Sequence, residues 1–211
     1  MTRRWSSKSL SIGRMRSAGW LLVCTSLCMI GCTQVTHQYL KYEPISGPPK
    51  LADAKSPPVS VEVTDKRTST TLLTRTSGYF GEFTVEYVPY NDVPEMIKEA
   101  FETELRDRGF VRGASGNVVS VSISFYRADQ MPTSFFGETD ASLGIEVTVK
   151  HPDGSTAYSR FVLGDSRPWE AEHPPEHNIK YQITNAVEAA MQDALAKVFD
   201  DPAFINALKT S

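Results

Sequence analysis

All three cysteines of this 211-residue chain lie before position 33, in a segment whose charge is unlike that of the rest. Residues 1–31 carry no acidic side chain but five basic ones, at Arg3, Arg4, Lys8, Arg14 and Arg16. The remaining residues hold 17 basic and 25 acidic side chains, a net charge of −8 against −3 for the whole chain. Such a terminus must be assigned before any fold is predicted, because targeting segments are removed from the mature protein. What is left to fold has the length of one ordinary domain.

The apolar run in this segment, Ala18–Ile30, has 13 residues, too few for the roughly 20 that a membrane-spanning helix needs. Positive charge followed by a short apolar run is typical of a secretory signal peptide. The run ends in MIGC at residues 29–32, which resembles bacterial lipoprotein precursors, where Gly or Ala precedes the cysteine that receives lipid. The resemblance implies cleavage between Gly31 and Cys32 and attachment of diacylglycerol to the Cys32 thiol. Residues 1–31 are therefore predicted to be a lipoprotein signal peptide.

Two alternatives stay open for this segment. Cys24, Cys28 and Cys32 recur every four residues and would share one face of a buried helix, but the segment is N-terminal, follows positive charge and has no helix cap. Translation could instead start at Met15, since residues 15–32 alone make a complete short lipoprotein signal. No His or acidic residue accompanies the cysteines, which argues against a metal site.

The lipid predicts where the protein resides. A bacterial lipoprotein carries two or three acyl chains, and since each buried methylene contributes about 0.8 kcal/mol, release from the membrane would be negligible. Thr33 follows the cysteine, where the sorting rule for lipoproteins has Asp for retention in the inner membrane. By that resemblance the destination is the outer membrane, with the domain facing the periplasm.

Residues 32–58 contain five prolines and no persistent hydrophobic periodicity. We interpret them as a Pro-rich tether between the lipid and a folded domain, partly extended by its prolines. Its His37, Tyr39 and Tyr42 could contact lipid headgroups or the domain, or could be solvated. The domain then spans residues 59–211 as one compact unit.

Three segments of the domain alternate apolar and polar residues, as half-buried strands do: residues 59–64, Glu82–Val88 and Val119–Phe125. Between the second and third of these segments, Asp92 and Glu95 resemble the capping box that begins a helix. Gly109 is the residue type expected just after the end of a helix. A helix is therefore predicted across this interval.

The predicted helix has one apolar stripe, because Ile97, Phe101 and Leu105 recur at i, i+4 and i+8. Oppositely charged pairs at i,i+4 spacing, among them Glu104 with Arg108, are interpreted as a solvated face. Asp65 and Arg67, at the end of the first strand, could pair with each other or with a neighbouring strand, a structural role.

A hairpin surrounds HPDG at residues 151–154. A three-residue loop with a bulge is predicted, since it pairs Ile145 with Phe161 and Leu143 with Leu163 and keeps one face apolar. A helix from about Asn178 to Val198 and a short turn complete the chain. The elements predict an α+β fold, a two-layer sandwich in which two helices cover one face of a mostly antiparallel sheet of about four to five strands.

The residues offer little catalytic chemistry. His173 and His177 have a spacing that would put both imidazoles on one helix face, as in zinc hydrolases, but two prolines lie between them. They remain an alternative metal site beside the interpretation as a solvated acidic loop. After cleavage the only cysteine is acylated, so we predict neither an enzyme nor a cofactor. The net charge of −8 and the lack of a basic patch argue against nucleic acid.

The best candidate for a partner contact is MPTSFFG at residues 131–137, which puts Phe135 and Phe136 side by side in a loop between strands. One ring could cap the core, and the other could contact a partner protein or lipid.

Taken in order, several motifs resemble the YajG family of bacterial lipoproteins: the Cys32 motif, VTDKR at residues 63–67, LRDRGF at 105–110, the Val119–Phe125 strand, the Asp153-Gly154 hairpin, and the last helix running into DPAFI at 201–205. The resemblance implies a protein that is not an enzyme, and it carries over one functional residue, the lipidated Cys32.

Two roles are compatible with this pattern. The first is a lipid-anchored scaffold or accessory subunit, which contacts an unknown envelope protein in an outer-membrane or periplasmic complex. The alternative is a lipid- or lipopolysaccharide-handling accessory lipoprotein of a transport system, which rests on analogy of fold alone. In both, acylated Cys32 binds outer-membrane lipid.

Overall fold

The computed structural model describes residues 32–77, 83–130, 139–166 and 179–210. The elements, in chain order, are β1 (Cys32–Gln38), β2 (Val59–Asp65), β3 (Leu73–Ser77), β4 (Phe83–Pro89), α1 (Val93–Asp107), β5 (Asn117–Gln130), β6 (Thr139–Lys150), β7 (Thr156–Asp165), α2 (Ile179–Phe199) and α3 (Pro202–Lys209).

Two sheets organise these strands. The larger has the order β2-β5-β6-β7, with β2 parallel to β5 and the other pairs antiparallel. The smaller has the order β1-β4-β3, with β1 parallel to β4 and β3 antiparallel to it. The predicted α+β class, mostly antiparallel, is confirmed, although the prediction of one sheet with about four to five strands omitted β1 and β3.

The helices pack on one face of the larger sheet, α1 against β2 and α2 against β6 and β7. Burial alternates along β5, where Val119, Val121 and Ile123 are buried and the serines between them are partly exposed. The covered face and the helices share one apolar core. The other face of this sheet, which we call the open face, is partly exposed.

Helix α1 begins at Val93 with Pro94 in its first turn, where the missing N–H of proline would have no partner in the helix. The predicted capping box does not form, because Asp92 makes no side-chain cap hydrogen bond and Glu95 pairs with Lys98. The predicted end is confirmed: Gly109 has φ +91°, and the Phe110 N–H donates to the Leu105 carbonyl at 3.0 Å.

Strand β5 contains a bulge between Ile123 and Phe125, which moves Phe125 to the open face and leaves Tyr126 in the core. There the Tyr126 hydroxyl donates to the Val187 carbonyl at 2.7 Å. The sequence pattern placed Phe125 on the apolar face, and this was wrong because a bulge adds one residue without changing the composition of the strand.

The predicted hairpin register was also wrong. Ile145 faces Val162 and Leu143 faces Gly164, so Phe161 and Leu163 lie on the open face. The reason is the closeness of α2, since a Cβ at residue 164 would come within 2.1 Å of the Ala190 carbonyl oxygen. Only glycine fits under the helix at that point, and Leu163 therefore turns outward.

Residues 32–58 differ from the predicted tether. They begin with β1, which pairs along its whole length with β4, and the chain that follows packs against the domain. Leu40 is only 1% exposed and joins the core. The segment lacks periodicity because it is fixed by single buried side chains and hydrogen bonds rather than by a continuous apolar face.

Candidate functional site

Strand β1, which we call the anchor strand, starts at the residue predicted to carry lipid. Its Cys32 lies opposite Phe83, the first residue of β4, and its Gln38 lies opposite Pro89. Gly31, on the other side of the predicted cleavage bond, lies outside the described residues. The predicted attachment residue is therefore the first residue of a paired strand instead of the first residue of a free linker.

Burial rises along the anchor strand with distance from Cys32. Val35 is exposed, whereas Gln38 is fully buried and accepts a hydrogen bond from the Thr184 hydroxyl on α2 at 3.0 Å. The partner strand β4 changes in the same way, from an exposed Phe83 to a buried Tyr87. Among the described residues, the small sheet is thus buried at its Gln38 and Tyr87 end and exposed at the end that holds Phe83.

The chain beyond the anchor strand is held by side chains of both long helices and the loop before α1. Asn91 binds the Leu40 backbone on both sides, accepting from its N–H at 3.0 Å and donating to its carbonyl at 2.7 Å. The Lys41 N–H donates to the Glu188 carboxylate on α2 at 2.6 Å. Burial raises the pKa of Glu188, and the hydrogen bond from Lys41 opposes that rise.

A buried ion pair on α1 also holds this segment: Glu104 pairs with Arg108, and their side chains are 0% and 3% exposed. Glu104 also accepts from the Tyr42 hydroxyl at 2.5 Å and from the Ile45 N–H at 2.9 Å. The Arg108 guanidinium lies 4.5 Å from the centre of the Phe199 ring. Burial and the neighbouring Glu104 carboxylate raise the pKa of Tyr42. The pair therefore binds the incoming chain to both α1 and α2.

The prediction that Glu104 and Arg108 belong to a solvated face was wrong. Glu104 stands three residues after Phe101 and seven after Ile97, which places it on the apolar stripe of α1. That helical position was the available signal, whereas the i,i+4 spacing of the charges is the same on either face.

Of His37, Tyr39 and Tyr42 in the predicted tether, only Tyr42 contacts the Glu104–Arg108 pair. His37 and Tyr39 are exposed and flank Tyr90, with ring centres 6.2 and 6.4 Å from it. Tyr90 follows β4 and is itself exposed. These three residues form what we call the aromatic patch, beside the far end of the anchor strand.

A cavity of about 390 Å³ lies between the end of β2 and the start of α1. Arg67 lines it and binds Asp65 through two nitrogens, at 2.8 and 2.9 Å, which confirms that these residues pair with each other. Hydrogen bonding to Arg67 holds the pKa of the Asp65 carboxyl below its usual range. The other lining residues are Thr70, Val88, Pro89, Asn91, Asp92, Val93 and Pro94. The lining therefore mixes polar and apolar side chains and carries two carboxylates, Asp65 and Asp92.

The remaining predicted site residues are not placed. Phe135, Phe136, His173 and His177 lie outside the described residues. Within residues 32–77, 83–130, 139–166 and 179–210, no three His, Cys, Asp or Glu side chains come close enough to hold a metal ion. In the same ranges no helix is long and apolar enough to cross a membrane.

The open face of the larger sheet carries a second apolar group. Phe125 and Phe161 have ring centres 6.4 Å apart, and both rings approach Gly144, where a Cβ would come within 2.5 Å of Phe125. Phe161 is 53% exposed, and Leu163 beside it on the same face is also exposed. Sequence reasoning missed this group, because the predicted register turned Phe161 and Leu163 inward.

Comparison with known proteins gives one firm match. A family model described as "uncharacterized lipoprotein" matches residues 45–209, more than half of the chain. None of the curated proteins matches the chain.

Two solved structures are similar to the chain at 10% sequence identity. The first, the hypothetical protein CT253 from Chlamydia trachomatis, has a TM-score of 0.36, with 67% of this chain and 95% of that chain covered. The second, a crystal structure of an uncharacterized protein, has a TM-score of 0.40, with 79% and 99% covered. Structural similarity this slight carries no argument about function.

Proposed function

Since the chain belongs to a family of bacterial lipoproteins, we propose that it is a lipid-anchored envelope protein that acts through protein contacts and not as an enzyme. The observation that carries the proposal is the position of Cys32, at the end of a signal-like segment and at the start of a strand that packs into the family-matched domain. A lipid attached there holds the whole domain at the membrane.

The proposal places the protein in the outer membrane with its domain in the periplasm. Thr33 after the cysteine supports this destination by resemblance to the sorting rule. Kinship with the YajG family is a finer part of the same proposal, supported by the order of the motifs along the chain.

The absence of enzymatic activity is also part of the proposal. Its support is that several of the buried and partly buried charged groups of the described residues are engaged with structural partners. Glu104 and Arg108 hold the incoming chain, Asp65 binds Arg67, and Asp201 binds both Arg160 and the first turn of α3. Charged groups engaged in this way stabilise the fold and are not free for acid–base work.

Two surfaces are candidates for the protein contact. The aromatic patch exposes Tyr39 and Tyr90 next to the anchor strand, and exposed tyrosines are common contact residues in interfaces. Phe135 and Phe136 remain the second candidate from the sequence. The alternative role in handling lipid has less support, because the described cavity has two carboxylates in its lining, which suit an acyl chain poorly.

The anchor is tested by Cys32→Ser in intact cells, with acylation followed by labelling with a palmitate analogue. We expect the wild type to carry label in the outer-membrane fraction and the variant to carry none. Thr33→Asp is the matched control, since it keeps the cysteine; it should retain the label and shift to the inner membrane. A variant at position 32 that still carries label would contradict the proposal.

The protein contact is tested with a photoreactive residue at Tyr90 or Phe136 and, as control, at Phe161, an exposed aromatic residue on the open face. We expect a discrete protein adduct of constant mass from Tyr90 or Phe136 and none from Phe161. Adducts with lipid alone from the two test positions would favour the alternative role.

A further inference from the structure

Phe83 has a large apolar side chain that no core contact explains. It is 57% exposed, although it begins a strand whose later residues on the same face, Val85 and Tyr87, pack against the core. Strand residues rise about 3.3 Å each, so Phe83 lies about 13 Å along the strand from the buried Tyr87. An aromatic ring left exposed at the end of a strand that is otherwise packed on the core indicates a contact with something outside the chain.

The register of the small sheet fixes what is beside that ring. Cys32 is the direct neighbour of Phe83 in the parallel pair, and neighbouring strands lie about 4.8 Å apart. If the sulfur of Cys32 carries acyl chains that enter the bilayer, its backbone lies at the level of the headgroups. Phe83 must then lie within one strand spacing of that level, however the strands are tilted.

The charge at this end of the sheet fits a membrane surface. The three rows of paired residues nearest the anchor are Cys32, Phe83 and Ser77; Thr33, Thr84 and Thr76; and Gln34, Val85 and Arg75. Among these described residues there is one charge, the exposed Arg75, in a chain whose residues 32–211 have a net charge of −8. Glu86, in the fourth row, is the first acidic side chain of the described strands. Residues 75–85 together hold one basic residue, Arg75, and one acidic residue, Glu82, so this stretch is neutral by sequence and meets anionic phosphates without net repulsion.

We propose that the Cys32 end of the three-stranded sheet rests on the lipid bilayer, with the Phe83 ring inserted among the headgroups. The inference depends on the proposed acylation of Cys32 and adds to it a direct contact between the folded domain and the membrane. Aromatic rings are favoured at the boundary between headgroups and acyl chains, and burying the ring there removes apolar surface from water.

The mature chain suits a depth measurement, because its only cysteine is the acylated one and an introduced cysteine is the only free thiol. A nitroxide label is attached to Phe83→Cys and, separately, to Phe161→Cys in the full lipidated protein, reconstituted in phospholipid vesicles. The two positions are matched, since both are phenylalanines on strands and are 57% and 53% exposed.

At position 83 we expect collisions with oxygen, which partitions into lipid, to exceed collisions with a water-soluble nickel chelate. At position 161 we expect the opposite ratio. Equal, water-like ratios at the two positions would overturn the proposed contact. Because both residues are exposed, neither substitution should shift the midpoint of urea unfolding by more than about 0.5 M.

Flotation of the same samples separates the two proposals. If both labelled proteins float with the vesicles and mass spectrometry finds an acylated Cys32, the anchor stands, and a water-like ratio at position 83 overturns only the contact. If neither protein floats and Cys32 carries no acyl chain, the proposed anchoring fails and the contact fails with it.

Discussion

Glu104 shows how one buried carboxylate can determine the path of a chain segment distant in sequence. Its two oxygens bind Arg108 on the same helix and the Tyr42 hydroxyl and Ile45 N–H of the incoming chain. A buried charge is stable only when its partners are all present, because an uncompensated charge inside a protein is strongly unfavourable. The ion pair holds the segment around Tyr42 in place, and the hydrogen bonds from that segment in turn stabilise the buried Glu104 carboxylate.

Glu104→Gln should lower the free energy of unfolding by about 3–5 kcal/mol, since it leaves the Arg108 guanidinium buried without its counter-charge. The side chain keeps its size, so the loss is electrostatic and not a packing effect. Urea denaturation of the mature domain measures it.

The control for this prediction is Glu102→Gln on the same helix, which breaks an ion pair with an Arg112 side chain that is 73% exposed. It should lower the free energy of unfolding by no more than about 1 kcal/mol. Equal effects of the two substitutions would mean that Glu104 is solvated in solution.

At the scale of elements, the anchor strand and the residues that follow it behave as part of the domain. Leu40 is buried beside Asn91, which binds its backbone on both sides, while the adjacent Tyr39 points to solvent. In a free segment both residues would be exposed, so the burial of Leu40 beside an exposed Tyr39 shows that the segment is packed.

Leu40→Ala should therefore lower the free energy of unfolding by about 2–5 kcal/mol, as core leucines do, through lost burial and the cavity left behind. Tyr39→Ala should change it by no more than about 0.5 kcal/mol. Thermal or urea unfolding of the two variants measures the contrast. If the segment were a free tether, Leu40→Ala would change the free energy of unfolding as little as Tyr39→Ala does.

Sequence reasoning identified the elements that have one buried face and missed those that do not. β2, β4 and β5 alternate because one side of each contacts the core. β3 (LTRTS) is mostly polar, and the anchor strand (CTQVTHQ) has polar residues on both faces, so neither shows a period of two.

The missed details of packing and the missed parts of the site have separate causes. The bulge before Phe125 and the inward Gly164 depend on contacts between elements, and composition does not record such contacts. Of the candidate site, the Gly31-Cys32 motif was readable from local sequence. Phe83 was not, because its importance comes from the register between two strands about 50 residues apart in the chain.

For the whole molecule, the small sheet acts as a short, stiff support between the predicted lipid and the larger sheet. The seven residues of the anchor strand span about 20 Å. If all 27 residues from 32 to 58 were a flexible tether, the distance and orientation of the domain relative to the membrane would vary widely. A paired strand at the start of this segment restricts both. The aromatic patch then lies within about 20 Å of the lipid anchor, and a partner must approach it there.

The position of Cys32 at the start of a paired strand also sets an order of events during biogenesis. If the bond between Gly31 and Cys32 is cleaved as predicted, the peptidase needs that stretch extended and unpaired. The partner of the anchor strand, Phe83–Pro89, emerges about 50 residues later, so a window exists in which the N-terminus is still free. Acylation and cleavage belong to that window. Pairing of the anchor strand with β4 would then be a late step. It would convert a flexible connection between the lipid and the domain into a structured one.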